Sequence, residues 1–507
     1  MPNNDVNITK VYLLDVPLES DYKNTLYFAN AQAQQTYFQS KIISSYSYND
    51  FSYQRKDHFI RVDEHYDNIY KCNYVMYQNS AYNNKWFYAF VTELEYINDG
   101  RTNLHIETDV IQTWMFDYTV KASFVEREHV DNDTVGTHTV PEGLELGEYV
   151  INNHFRDTAL QTDYKLVMGS TEVPSGEGAS YGAIYNGIYS GVEYYTYNAT
   201  NLTQNLQYLA DHGKIDAVSS LFIAPSFLIN SVGGVVSESN DPVTYNNTIS
   251  KLTSLNGYTP ANKKLLTYPY CYLLASNSNG ASAIYHQEKF SSASCVFTVA
   301  GSLTPGCSIR MFPLNYNGTD QNHDEGINLG KYPQLNWATD MYTNWLTQNG
   351  INVATSLVGS TVGAVGGIAT GNVAGAVGGL SGIANSLNEV HKASLIPPQT
   401  EGNINCGDVI TSMHQNTFHI YNMSIKQEYA RIIDKYFDMF GYKVNMVKIP
   451  NKNHRSRYWY TKTINVNING NVPQNDMQKI KSCYDNGITF WKSASDIENY
   501  SDPNPIV

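Results

Sequence analysis

Apolar and polar residues alternate over much of both ends of this chain, the period of strands half buried in a sheet. Residues 12–17, 58–62 and 72–77 are short runs of this kind. Residues 85–96, KWFYAFVTELEY, are long enough to cross an extended sheet. Asn98, Asp99 and Gly100 signal a hairpin turn, from which residues 102–107 return. Thr108 or Asp109 then caps a short helix whose Val110, Ile111, Trp114 and Met115 share a face. Residues 31–46 carry mixed signals and predict an irregular or briefly helical stretch. Residues 123–130 predict a further strand and residues 141–147 a glycine-punctuated loop.

Past about residue 163 the pattern changes. Residues 170–191 are rich in Gly, Ser and Tyr, residues 201–209 predict a helix ending near Gly213, and residues 231–247 a polar loop, so this block reads as an insertion. Strands resume at 265–275, 282–290, 295–301 and 418–425, with a turn at 277–280. The strongest helical pattern is 426–440, which sets Tyr429, Ile432, Ile433, Tyr436, Phe437 and Phe440 on one face and Gly441 just past its end. Residues 443–448 and 463–468 predict strands. A helix from Gln474, with Ile480 and Cys483 inward, leads to a last strand at 488–491.

One stretch fits neither period. Residues 352–387, NVATSLVGSTVGAVGGIATGNVAGAVGGLSGIANSL, lie in a span without Asp, Glu, Lys or Arg that runs from Asp340 to Glu389. Gly359, Gly363, Gly367, Gly371, Gly375 and Gly379 recur at every fourth position. Between and around them stand Val353, Leu357, Val358, Val362, Val365, Ile368, Val373, Val377, Leu380, Ile383 and Leu387. In a helix these glycines form a slowly rotating stripe that admits a second backbone, as small-xxx-small pairs do in bilayers. In water each costs about 1 kcal/mol relative to Ala. Three readings are open. A flexible linker favours Ser and charge rather than Val, Ile and Leu. A permanent transmembrane helix needs ~20 strongly apolar residues, and here Thr, Ser, Gly and Asn interrupt each half. The favoured reading is a membrane-active hairpin of two weak halves about Thr370, Gly371 and Asn372, hidden until used. Trp337, Tyr342 and Trp345, just before it, suit a lipid interface and plain packing equally.

Composition narrows the class. With 507 residues, several domains are expected. Only 16% of residues are charged and 41 are Tyr, which favours strands and polar loops, so a mainly β fold with short helices is expected. A net charge of −14 argues against gripping nucleic acid phosphates; any DNA must slide past. The six cysteines, Cys72, Cys271, Cys295, Cys307, Cys406 and Cys483, show no metal spacing, and free buried thiols are expected. The start, MPNNDVNITK, has no apolar core of a signal peptide, which predicts synthesis in a cytoplasm without the usual export.

Candidate chemistry is sparse. Glu126 and Glu128, two apart on a strand, would share a face and suggest a glycosidase pair, although exposed acids on strands are usually only solvated. Asp131, Asn132 and Asp133, and His323, Asp324 and Glu325, complete neither a calcium loop nor a zinc set. The glycine run lacks the Lys of a phosphate-binding loop, and no GxSxG occurs. No cofactor, metal or catalytic residue is therefore expected. Lys452, His454, Arg455 and Arg457, interleaved with Tyr458, Trp459 and Tyr460, form one basic patch. It could meet DNA or an acidic neighbour, or be a solvated turn. Abundant Tyr and Asn would also suit a carbohydrate-binding adhesin, and the acid pair an enzyme that cuts cell wall.

Several consecutive runs are familiar: DYKNTLYF (21–28), NKWFYAFVTELEYIN (84–98), HIETDVIQTWMFDY (105–118), SFVEREHV (123–130), YPYC (268–271), IPPQ (396–399), KQEYARIIDKYFDMFGYKVN (426–445) and DNGITFW (485–491). In these the chain resembles the tail-knob proteins, also called distal or major tail proteins, of small short-tailed phages of the Picovirinae type. The resemblance covers the first ~160 residues and those from about 265 to the end. It implies a structural virion protein rather than an enzyme. Its tail-tube-like β-domains would assemble into a homohexameric tube at the end of the tail, beside other tail proteins. It also implies that apolar loops plug the lumen, leave it on infection and penetrate the host membrane lipids, so that genomic DNA passes through without specific binding. Residues 352–387 stand where that loop belongs. The expected organisation is a tube-forming β-domain at 1–162, a divergent insertion at 163–260, a β-rich segment at 261–345, the apolar loop at 346–395 and a second tube-forming domain at 396–507.

Overall fold

Strands dominate both units of the chain in the computed structural model, as the alternating pattern and the Tyr-rich composition require. The model describes residues 8–47, 51–54, 59–160, 164–174, 183–185, 188–197, 199–229, 231–232, 235–236, 243–303, 306–318, 326–332, 334–335 and 416–507. One unit comprises Met1–Leu146, Pro260–Leu265 and Glu428–Val507, the other Gly147–Thr259 and Leu266–Gln427.

In the first unit a seven-stranded antiparallel sheet runs in the order Ile42–Ser47, Ile8–Leu14, Tyr74–Asn79, Lys85–Asn98, Arg101–Thr108, Phe59–Val62, Phe51–Gln54. The hairpin turns at Asp99 and Gly100, with Asn98 opposite Arg101. Asp109 caps the helix Val110–Trp114 by accepting from the Gln112 N–H at 3.0 Å, and Tyr74 Oη donates to its other oxygen at 2.8 Å. A five-stranded sheet takes Asn24–Leu26, Ile488–Trp491, Tyr458–Ile464, Ser123–Glu128 and Tyr442–Lys448 in that order, from both ends of the chain. The core mixes the ends likewise: Val11, Val75, Leu104 and Trp114 pack with Trp459, Ile480 and Phe490. Neither end buries its apolar face alone.

The second unit holds a six-stranded sheet built on Tyr164–Ser170 and Val218–Pro225, and two four-stranded sheets. Leu166, Phe222, Phe297, Tyr285 and Phe418 lie in its core. Asp157 is buried and accepts from Tyr245 Oη and Asn247 Nδ2, both at 2.7 Å.

Several expectations change. Residues 31–46 are not irregular: Asn30 caps the helix Ala31–Gln39, and Ile42–Ser47 is a strand paired with Ile8–Leu14. Within the expected loop 231–247 begins the strand Val243–Ser250, paired along its length with Ser294–Ser302: Thr244, Asn246, Thr248 and Ser250 are exposed, while Tyr245 and Asn247 reach the buried Asp157 and Ile249 is buried. The expected strand 265–275 starts only at Cys271, after a short 3-10 turn at Lys263–Leu266. The helix Gln427–Phe440 ends at Gly441, φ +64°, where a Cβ would strike the Glu128 carbonyl. Its buried stripe is Ala430, Ile433, Asp434 and Phe437, whereas Ile432 is 67% exposed. A polar residue, Asp434, lies on the inner face because it has backbone partners there.

Candidate functional site

The apolar segment proposed from sequence, Val353 to Leu387 with its glycine stripe, lies outside the described residues, as do Trp337, Tyr342, Trp345, His323 and Cys406. The described residues stop at Leu335 and resume at Asn416. Strand Gln334–Leu335 pairs with Phe222 and Leu221, and just before it the buried Tyr332 donates its Oη to the Leu160 carbonyl at 3.1 Å. Asn416 Nδ2 donates to the Gly330 carbonyl at 3.3 Å. A Cβ at Gly330 would lie 3.0 Å from Asn279 Nδ2 and 3.1 Å from Asn416 Oδ1, a close fit. Gly330 and the buried Asn416 are thus neighbours in one unit. The next residues, Thr417 and Phe418, bond to the Asp157 carbonyl and N–H, and the strand His419–Ile425 follows.

At the start of that strand His419 Nδ1 lies 2.8 Å from His154 Nε2, and the His154 ring stacks on Tyr421 with centroids 4.5 Å apart. Burial first, then His154 and Arg156, hold His419 below the usual imidazole value. One of the two facing nitrogens must be deprotonated for the bond to exist.

The proposed acid pair does not come together on one face. The ladder register shifts between Val125 and Arg127, a bulge at Glu126. Glu126 is ion-paired with Lys462 at 2.9 Å. Glu128 is buried, and accepts from Lys448 Nζ at 2.6 Å and the Asn451 N–H at 2.7 Å. Burial pushes its carboxyl upward. Both acids are engaged structurally.

Two residues of the basic patch, Arg455 and Arg457, are engaged within the fold, whereas Lys452 is exposed. Arg457 reaches Asp496 at 3.3 Å and the Asn499 and Asp502 carbonyls, and the buried Arg455 reaches the Asn504 carbonyl, so the patch ties down the last residues. Asp133 accepts from Tyr442 Oη at 2.6 Å and from the Lys263 N–H at 3.0 Å, a structural use. The five described cysteines are free and buried, and burial pushes the Cys72, Cys295 and Cys483 thiols up to about 12. Among the described residues no cluster of His, Cys, Asp and Glu could hold a metal ion, and no helix is long and apolar enough to cross a membrane.

Sequence reasoning missed two buried networks in the first unit. Glu142 is ion-paired to both Arg127 and Lys264, with all three side chains almost fully buried. His129 Nδ1 accepts from the Tyr460 N–H at 2.7 Å while Nε2 lies 2.9 Å from the Asp438 carbonyl, so the ring is neutral with its proton on Nε2. Burial, with Arg455 nearby, takes its pKa down to about 3. No spacing rule marks either set.

The comparisons give the class of this strand-rich chain. The family described as "Caudoviral major tail protein N-terminus" matches residues 7–119. The family described as "Bacillus phage phi29, Tail knob protein gp9, C-terminal domain" matches residues 236–505, more than half of the chain. The chain belongs to the tail knob protein gp9 family, as its resemblance in sequence implied. Tail knob protein gp9 of Bacillus phage B103 is 28% identical over 97% of both chains. That of Bacillus phage phi29 is 26% identical over 97% of this chain and 98% of its own length. The solved structure of the bacteriophage C1 tail knob protein, gp12, is alike in fold, with TM-score 0.64 over 98% of this chain and all of that one at 16% identity. The protein is a structural component of a phage tail.

Proposed function

We propose that six copies of this chain form the distal knob that closes the tail, beside other tail proteins, and that residues 352–387 of each copy wait inside the lumen. On release these segments enter the host cell membrane as hairpins, and the genome passes through the opening. The observation that carries this reading is the charge-free span between Asp340 and Glu389, with Gly330 before it and Asn416 after it in contact. An apolar excursion on a closed base can leave its shelter without unfolding the unit that holds it. The organisation expected from sequence supplies the parts: tube-forming segments at 1–162, 261–345 and 396–507, an insertion at 163–260 and the loop at 346–395. A net charge of −14 supports a wall along which DNA slides.

The test is dye leakage from liposomes. Protein lacking residues 355–387 should assemble normally and release no dye. Leakage equal to that of the full chain would end the membrane role. Acid should increase leakage by neutralising Asp340 and Glu389, whose charged forms are costly to bury; a flat response across the acidic range would remove that step.

A further inference from the structure

In the first unit five aromatic side chains wall a small cavity: Tyr27, Tyr118, Trp459, Tyr484 and Phe490. It measures about 60 Å3, and Thr461 and Lys452 also line it. Alternation along the strand Tyr458–Ile464 sets Trp459 and Thr461 on one face. Trp459 stacks on Phe490 with centroids 5.4 Å apart and meets Tyr27 edge to face at 4.9 Å, so these walls are fixed by one another. Lys452 is placed by its neighbour. The Asn451 N–H donates to the buried Glu128 carboxylate at 2.7 Å, and Asn451 Nδ2 to the His129 carbonyl at 3.3 Å.

The hydrogen-bonding capacity left unused on these residues consists of donors. Thr461 is 1% exposed, and its Oγ1 has no hydrogen-bond partner among the described residues. The Tyr118 and Tyr484 hydroxyls lie 3.3 Å apart and one donates to the other, so the second hydroxyl proton has no acceptor among the described residues. Lys452 has neither an acid nor a carbonyl partner among them, and desolvation lowers its pKa although the residue as a whole is exposed. Such a set calls for a ligand that only accepts. A carboxylate does so, whereas water brings two protons of its own. Size limits the rest of the ligand: a cavity that holds benzene measures about 150 Å3, so an aromatic acid or a sugar ring is too large and a stem of about three carbons fits. We propose that this cavity binds a short aliphatic carboxylic acid as its anion. The Thr461 hydroxyl and the free tyrosine hydroxyl donate to the carboxylate, Lys452 supplies the counter-charge, and the stem lies against the aromatic walls. A carboxylate taken from water is tolerated only when paired and hydrogen-bonded in this way. The site is complete within one copy of the first unit and does not depend on how copies assemble.

Saturation-transfer NMR of the full-length protein, with butyrate as the probe, tests this. Butyrate should receive saturation from the aromatic protons, whereas 1-butanol and 1-butylamine, of the same length, should not. Thr461→Val keeps the shape of the side chain and removes one bond to a charged acceptor, so the dissociation constant for butyrate should rise about tenfold. Lys452→Gln, at an exposed residue without a partner in the fold, should raise it about threefold, and added salt should weaken binding to the parent in the same direction. No transfer to butyrate would overturn the proposal. Equal transfer to butanol would mark a merely apolar void and overturn it too. Butyrate binding unchanged in both variants, with unchanged circular dichroism, would place the ligand elsewhere and remove the site. Should Thr461→Val fail to fold, Lys452→Gln and the salt series decide alone.

Discussion

Asp434 and Asn262 meet although 172 residues separate them: the buried carboxylate accepts from the Asn262 N–H at 2.9 Å and from its side-chain Nδ2 at 2.9 Å. The Ala261 N–H adds a third bond at 2.8 Å. This is how a six-residue segment far from either end is held in the first unit. Asp434→Ala would leave two backbone donors unsatisfied, and a loss of about 3 kcal/mol is expected. Urea unfolding followed by fluorescence measures it, because the described tryptophans, Trp86, Trp114, Trp459 and Trp491, all lie in this unit. A loss below about 0.5 kcal/mol would show that the contact carries no weight.

Glu142 sits between two buried cations, Arg127 and Lys264. Removing the carboxylate leaves both charges without their counterion, so Glu142→Gln should cost about 3–5 kcal/mol, more than a typical surface ion pair by severalfold. Lys426→Gln, which breaks the exposed pair with Glu148, should cost less than about 1 kcal/mol in the same assay.

The helix Gln427–Phe440 permits a paired comparison. Phe437 is fully buried and Ile432 is exposed. Phe437→Ala is expected to cost about 3–5 kcal/mol and Ile432→Ser about 0.5 or less. Equal effects would contradict the observed rotation of the helix.

Acid sensitivity follows from His129. Its folded pKa of about 3 lies below the ordinary imidazole value of 6.5, so between these pH values the unfolded chain binds a proton that the folded one does not. Stability is therefore lost as pH falls through that window, at up to about 1.4 kcal/mol per pH unit. Asp109 and Asp438, raised by burial to about 6, act oppositely: below about pH 6 the folded state holds protons the unfolded state lacks until about 3.8. His129→Gln should remove the imidazole component. The difference in unfolding free energy between parent and variant should shrink from pH 7 to pH 5, and a constant difference would show that His129 does not titrate in this way.

Much of the local structure was legible because it depends on neighbours in sequence. The long strand at 85–98, its Asp-Gly turn, the Asp109 cap and the Gly441 stop all follow from side-chain period and turn chemistry. The segment 31–46 was ambiguous because a cap, a nine-residue helix and a strand crowd into one window. The strand at Val243–Ser250 was hidden by its many polar residues, its place set by pairing with Ser294–Ser302. The bulge that separates Glu126 from Glu128 depends on two partner strands that sequence cannot display.

The sequence by itself determined that the chain is built of strands, that one long stretch carries no charge, and that its motifs belong to a tail knob protein. The first two are properties of composition and short-range period and the third is a resemblance of consecutive motifs, all of which the chain carries whether folded or not. Only the tertiary structure decided that both ends build one core, that Asp434 faces inward while Ile432 does not, and that Asn416 returns to Gly330. Such facts rest on contacts between residues far apart in sequence, 86 positions for Asn416 and Gly330 and 172 for Asp434 and Asn262. Their free energy appears only once the intervening chain has been ordered.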